Sequence, residues 1–286
     1  MVRRDPKPDE AAALRRLEAA GCTLRLVKAD VSDYEQLARA LQKAQEGLPP
    51  LERVWHLAGE LEDDRLINLD EERFCRPFGA KLGGAWNLHR LTLDCRLKSF
   101  VLFSSIAALF GTHGQGNYAA ANAGLDGLAL YRRRLGLPAL SVNWGAWAEV
   151  GMAARGGLLP TLQRFGVHPI PLQNGFAALD RMLRADRCRV VAALIDWPRY
   201  QAGYGLQRIP AFFERVNGAG TGSGQTPVET GAQSRRPDTL RDLDSTGVQA
   251  AVTAGLREKI AAILKVQPDE PQRAHKYNSI KNRYFV

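Results

Sequence analysis

The chain has 286 residues, of which 45% are hydrophobic and 24% charged, and its formal net charge is +9. This length allows one large domain or two small ones, and the apolar fraction suffices for a buried core. No stretch approaches the roughly 20 apolar residues of a membrane span, and the first residues lack the apolar segment of a secretory signal. We therefore expect a soluble, cytoplasmic protein that makes no membrane contact.

The basic balance does not by itself indicate a nucleic-acid partner. The densest positive run, residues 132–134, ends a predicted helix, where it suits the helix dipole. No nucleic-acid-binding motif accompanies it, so nucleic acid is not an expected partner. The cysteines and histidines lack metal-ligand spacing, and no metal site is expected.

Taken in chain order, helical patterns and short apolar strands alternate. Helices are predicted over 9–20, 34–45, about 70–93, 118–135 and 172–183, and strands over 24–27, 54–59, 100–105, 139–144 and 189–195. This alternation predicts a parallel sheet covered on both faces, with a ligand beyond the carboxyl ends of the strands. Polar or glycine-containing segments follow several of these strands, at Asp30, 58–59, 104–105 and 143–145.

Composition divides the chain into three parts. Residues 1–216 carry the α/β pattern. Residues 217–247 are rich in Gly, Thr, Ser, Gln and Pro and are predicted to form a flexible linker. Residues 248–286 begin with a further amphipathic helical pattern and end in a basic stretch without periodicity.

Tyr118 opens a predicted helix, and Asn122 lies one turn later on the same face. Ser105 ends the preceding strand, and the glycine-containing loop between them permits close approach of a ligand. Two hydroxyls could hold one carbonyl oxygen, and Lys81 could be the cation that helps a phenol of pKa about 10 to donate its proton. On spacing alone, a surface lysine, a capping serine and a half-buried tyrosine explain the same pattern.

Four longer strings carry more information than these spacings: 81–89, 101–105, 114–123 and 142–147. In this order they resemble the ketoreductase domain of type I modular polyketide synthases, a branch of the short-chain dehydrogenase/reductase superfamily. The resemblance runs from about residue 3 to about residue 215. It implies a Rossmann-like doubly wound parallel sheet and NADPH-dependent reduction of a β-ketoacyl thioester. The implied partners are an acyl carrier domain with a phosphopantetheine-linked chain and other synthase modules.

The resemblance also implies a role for each residue of the candidate site. Tyr118 would donate a proton to the β-keto oxygen, and Ser105 would hydrogen-bond that oxygen. Lys81 would hold the nicotinamide ribose and lower the pKa of Tyr118. Asn122 would complete the proton relay, in the position that a lysine occupies in simpler members of the superfamily. Further cofactor contacts are implied for Arg3, Arg4, Asp30, Val31, Ala58 and Gly59.

A second set of residues bears on how the substrate is oriented. Leu61, Glu62 and Asp63 match the family's Leu-Asp-Asp signal, with the middle residue altered. Phe110 stands where the alternative stereochemical class carries tryptophan. Both features favour a product with a D-configured hydroxyl. Gln115 and Trp144 complete the residues expected on the substrate side.

The glycine-rich turn that normally holds a dinucleotide pyrophosphate does not occur before Asp30. We therefore expect a domain that lacks its first β-α unit. At the other end, 256–264 resembles the first helix of an acyl carrier domain, but Ser279 lacks the acidic neighbour of a phosphopantetheine site. We therefore interpret 248–286 as a truncated carrier-like segment, with a short docking segment as the alternative for its tail. The alternative function is a non-catalytic remnant or scaffold fragment that cannot bind cofactor alone.

Overall fold

The computed structural model describes residues 5–204. Arg3, Arg4, the predicted linker at 217–247 and the carrier-like segment at 248–286 lie outside the described residues. Among the helices that are described, none is both long and apolar enough to cross a membrane.

A parallel sheet forms the centre of the described part of the chain. In chain order the strands are β1 (Arg53–His56), β2 (Ser99–Ser105), β3 (Leu140–Trp144), β4 (Val167–His168), β5 (Arg189–Ala192) and β6 (Leu194–Ile195). The main sheet has the order β1-β2-β3-β5, and every pairing in it is parallel. β4 and β6 form a separate antiparallel pair. The predicted α/β fold with a parallel sheet is confirmed.

Helices connect these strands. They are α1 (Pro8–Ala19), α2 (Tyr34–Gln45), α3 (Glu71–Phe78), α4 (Gly84–Leu91), α5 (Ala107–Phe110), α6 (Gly116–Arg134), α7 (Gly151–Arg155), α8 (Leu159–Arg164), α9 (Leu172–Arg184) and α10 (Trp197–Gly203). A 3₁₀ turn covers Leu66–Asn68, and a π-helical turn at Gly79–Gly83 joins α3 to α4.

Two apolar clusters cover opposite faces of the sheet, as the period of two in a strand requires. Phe100 and Leu102 of β2 pack with buried residues of α2, α4 and α6. Val101, between them, packs with Val142 of β3 and with Leu179 of α9. Because every pairing in the main sheet is parallel, the carboxyl ends of its strands lie at one edge, beside the start of α6.

Two predictions of secondary structure are wrong in detail. In the described part of the chain, residues 24–27 form no strand, and Lys28 makes an isolated bridge. A strand needs a hydrogen-bonded neighbour, and β1 pairs with β2 alone among the strands described. The continuous helix predicted over about 70–93 is interrupted by the π-helical turn, whose wider ring shifts the residues after it around the helix axis.

Candidate active site

The π-helical turn buries Lys81, which is 3% exposed. Its Nζ donates a hydrogen bond to the carbonyl of Phe103 in β2 over 3.0 Å. His56, at the end of β1, donates from Nε2 to the carbonyl of Lys81 over 2.8 Å and so holds the turn in place. Burial lowers the pKa of Lys81 to about 8 and that of His56 to about 4, so the imidazole is neutral at neutral pH.

Tyr118 lies in the first turn of α6, where its backbone N–H donates to Oδ1 of Asn117 over 2.8 Å. Its ring centroid is 5.4 Å from Nζ of Lys81, so the phenol and the amine share one buried region. Burial raises the pKa of Tyr118, hydrogen bonding with Asn122 and Ser105 opposes this rise, and the charge of Asp63 adds to it. Burial has the largest effect on this pKa, and the lowering by Lys81 that the resemblance implies stays a prediction.

Ser105 ends β2 opposite Trp144 of β3 in the parallel register. Its Oγ accepts a hydrogen bond from the N–H of Ala107 over 3.1 Å, which fixes the hydroxyl where α5 begins. Its hydrogen bonding lowers the pKa of Tyr118. The predicted convergence of a serine at a strand end with a tyrosine at a helix start is therefore present in the structure.

Asn122 is fully buried one turn after Tyr118. Its Nδ2 donates to the Tyr118 carbonyl over 2.7 Å. Its Oδ1 is also buried and has no hydrogen-bond partner in the described part of the chain. Such an atom carries a desolvation cost unless a donor reaches it.

A buried polar network lies beneath these residues, and the sequence analysis missed it. Asp126 accepts hydrogen bonds from Ser141 Oγ over 2.5 Å and from Asn143 Nδ2 over 2.8 Å. Asn143 also donates to Ser104 Oγ, which in turn donates to the carbonyl of Asn122. The signal was available, because Asp126 lies one further turn along the face of Asn122, and polar residues alternate along β3. The network ties α6 to the sheet.

Among the residues expected to hold the cofactor, Ala58 and Gly59 follow β1, and Asp30 and Val31 precede α2. Gly59 approaches Lys81 so closely that a Cβ there would be 3.1 Å from Lys81 Cε. A larger residue at this position would therefore crowd the Lys81 side chain. Asp30 Oδ1 accepts from the N–H and Oγ of Ser32, which shapes the turn before α2. Val31 is partly buried and packs against the cluster of α2, α4 and α6.

The substrate-side residues separate into different environments. Asp63 is exposed and accepts from Gln115 Nε2 over 2.7 Å, so these two lie together as expected. The altered residue of the stereochemical signal, Glu62, forms ion pairs with Arg73 and Arg76. Leu61 is half-buried.

The two aromatic residues of the expected substrate side pack among other aromatic rings. Trp144 is 4% exposed, and its ring packs on Phe103 and Trp147, so its role on the substrate side stays a prediction. Phe110 packs against Trp197 and Tyr200 of α10. The described residues contain no cluster of His, Cys, Asp or Glu that could hold a metal ion.

Comparison with known proteins gives the same picture. Polyketide synthase GfsB of Streptomyces halstedii is 44% identical over 202 residues, which cover 68% of this chain and 4% of that protein. Phenolphthiocerol synthesis polyketide synthase type I Pks15/1 of Mycobacterium marinum is 36% identical over 262 residues, covering 90% of this chain and 12% of that protein. The chain therefore spans a small part of the curated relatives that it matches.

Solved structures extend the likeness to three dimensions. An A1-type ketoreductase aligns with a TM-score of 0.70 and 39% identity over 74% of this chain and 45% of its own. An A-type ketoreductase from a modular polyketide synthase aligns with a TM-score of 0.68 and 40% identity over 72% of this chain and 43% of its own. The model of the KR domain family matches residues 1–149. The chain belongs to the KR domain family, the ketoreductase domains of polyketide synthases.

Proposed function

We propose that this domain reduces a carrier-bound β-ketoacyl thioester to the β-hydroxyacyl thioester. The observation that carries the proposal is the convergence of Lys81, Ser105, Tyr118 and Asn122 at the carboxyl edge of a parallel sheet, where such sheets bind ligands. NADPH, when bound, supplies the hydride to the β-carbon. The β-keto oxygen gains its proton from the protein.

The chain's own groups account for the proton and for the charge that develops on the oxygen. Ser105 holds the β-keto oxygen by a hydrogen bond while negative charge grows on it. Tyr118 then donates its proton to that oxygen. A buried phenol with a raised pKa is a poor acid and its phenolate a costly product, so a nearby cation is needed as the proton leaves. Lys81 is that cation. Asn122 Oδ1 would accept a hydrogen bond from the group that returns a proton to Tyr118.

Several residues would hold the cofactor. Lys81 would hold the nicotinamide ribose, Ala58 and Gly59 would lie beside the adenosine ribose, and Asp30 and Val31 would contact the adenine. Arg3 and Arg4 would meet the 2′-phosphate that distinguishes NADPH from NADH, since guanidinium groups pair well with phosphate. The preference for NADPH therefore depends on residues outside those that the structure describes.

The proposed partner is an acyl carrier domain that presents the substrate on a phosphopantetheine arm, within a synthase of several modules. The curated relatives are named as polyketide synthases, which supports this partner. We further propose a D-configured hydroxyl product, because the final Asp of the stereochemical signal is kept at Asp63 and Phe110 stands where the alternative class carries tryptophan. Chiral analysis that finds the L-alcohol would overturn this assignment.

Purified chain is titrated with NADPH while nicotinamide fluorescence is followed, and then supplied with a β-ketoacyl thioester mimic. We expect binding below millimolar cofactor and oxidation of NADPH on addition of the mimic. Tyr118→Phe removes the proton donor and lowers kcat by about 10²- to 10⁴-fold. Tyr131→Phe, on the same helix but 39% exposed, is the matched control and leaves kcat unchanged.

The outcomes separate the reductase from the alternative. No binding at millimolar NADPH would support a non-catalytic fragment of a synthase and would refute autonomous reduction. Binding with undiminished turnover by Tyr118→Phe would instead refute the role given to the tyrosine.

A further inference from the structure

The loop after β1 is attached directly to the loop before α6. The N–H of Asp64 donates to the carbonyl of Gly114 over 2.9 Å. The side chain of Asn117 donates from Nδ2 to the carbonyl of Glu62 over 2.8 Å, and its Oδ1 accepts from the N–H of Tyr118. Asn117 is fully buried, so a shift of the first loop is transmitted to the backbone of Tyr118.

One guanidinium holds the carboxylates on both sides of Asp63. Arg73 donates from Nε to Glu62 Oε1 over 2.8 Å and from Nη1 to Asp64 Oδ2 over 3.0 Å. The two neighbours of Asp63 are paired to Arg73. Asp63 itself is not, and its carboxylate accepts a hydrogen bond from Gln115, just before α6. Charge-assisted hydrogen bonds of this kind fix geometry more strongly than neutral ones.

The backbone of α3 contributes to the same attachment. Pro77 lies inside this helix and has no N–H, so it cannot donate to the carbonyl of Arg73 four residues earlier. That carbonyl instead accepts from Asn117 Nδ2 at 3.4 Å. Arg73 therefore meets the loop through its side chain and the start of α6 through its backbone.

From these contacts we infer that Arg73 is a positioning residue, which fixes Asp63 beside Tyr118 and thereby determines which face of the substrate ketone is reduced. The inference rests on the proposed function, because it concerns the stereochemistry of that reaction. Asp63 is close enough to Tyr118 for its charge to affect the tyrosine's pKa, so a displaced Asp63 changes the surroundings of the reacting oxygen.

The test compares the full chain with Arg73→Met, Arg73→Lys and Arg133→Met. Arg133 forms an ion pair with Asp186 at the far end of α6 from Tyr118, and it is the matched control. Hydrogen–deuterium exchange of the peptides that cover 62–64 and 114–118 reports the attachment of the loops. Chiral chromatography of the alcohol formed from a β-ketoacyl thioester mimic reports the face of attack.

We expect faster exchange in both peptides of Arg73→Met. We also expect the ratio of the two alcohol enantiomers to fall by at least about tenfold, because the charge-assisted hydrogen bonds to Glu62 and Asp64 are both lost. Arg73→Lys retains the charge and recovers part of the ratio, whereas Arg133→Met changes neither readout. A loss of general stability would lower turnover without altering the enantiomer ratio. If Arg73→Met does not fold, Glu62→Gln weakens the same contact and is expected to change both readouts in the same direction.

Unchanged exchange at 62–64 and 114–118 would overturn the attachment through Arg73. Faster exchange with an unchanged enantiomer ratio would overturn its role in specificity. If the wild-type chain reduces no substrate, the proposed function fails and the stereochemical inference fails with it, while the exchange data still decide whether Arg73 holds the loop.

Discussion

Replacing Lys81 by methionine should make the folded chain more stable while abolishing reduction. Burial lowers the pKa of Lys81 from 10.5 to about 8, which at about 1.4 kcal/mol per pKa unit corresponds to roughly 3 kcal/mol of destabilisation by the charged amine. Loss of the hydrogen bond to the Phe103 carbonyl offsets about 1 to 2 kcal/mol of this. Lys81→Met is therefore expected to raise the free energy of unfolding at pH 7 by about 1 to 2 kcal/mol.

The pH dependence of the stability difference between Lys81→Met and the wild-type chain tests the buried charge more directly than its value at pH 7. Between pH 8 and 10.5 the unfolded chain keeps a proton on Lys81 that the folded chain has released, so wild-type stability rises with pH relative to the variant. Urea unfolding followed by tryptophan fluorescence from pH 7 to 10.5 should show the advantage of Lys81→Met falling by roughly 3 kcal/mol. Lys98→Met, at an amine that is 61% exposed, is the control and should show no such trend. If the difference in free energy of unfolding between Lys81→Met and the wild-type chain does not change with pH, the conclusion that Lys81 is buried as a charged amine is refuted.

Two further predictions concern buried polar groups that support the site. Asp126→Ala leaves Ser141 and Asn143 without their acceptor, so the free energy of unfolding measured in urea should fall by about 2 to 5 kcal/mol. Asp126→Asn should lose less stability. A loss below about 1 kcal/mol in Asp126→Ala would contradict the network. His56→Ala removes the donor that holds the carbonyl of Lys81, so kcat should fall by about tenfold. His56→Gln should recover part of this kcat. Equal kcat in the wild-type chain and both variants would contradict the role of His56.

Most of the fold could be predicted from periodicity, because the apolar residues of β2, β3 and α6 follow the strand and helix repeats closely. The π-helical turn could not, since Gly79–Gly83 has no sequence feature that distinguishes it from an α-helical turn. Residues 24–27 have a strand-like composition, but a strand also requires a neighbour in the sheet. Local patterns carry no information about that neighbour.

In the candidate site, too, contacts within one helix or along one sheet edge could be predicted, whereas contacts between segments distant in the sequence could not. The pairing of Tyr118 with Asn122 follows from helix geometry, and their convergence with Ser105 follows from the common edge of parallel strands. The burial of Trp144 could not be predicted, because position in a motif does not show how much of a side chain is buried, and its substrate-side role stays a prediction. The ion pairs of Glu62 with Arg73 and Arg76 join segments that are separate in the sequence, and only the folded chain brings them together.

The proposed reaction is tested most directly by following the hydride. The full chain is incubated with NADPH that carries deuterium at the transferred position and with a β-ketoacyl thioester mimic, and the alcohol is analysed by mass spectrometry. The predicted result is deuterium at the β-carbon of the alcohol that the wild-type chain forms, and a far lower yield of this labelled alcohol with Tyr118→Phe. Alcohol without deuterium, or equal yields of labelled alcohol from both proteins, would contradict the account.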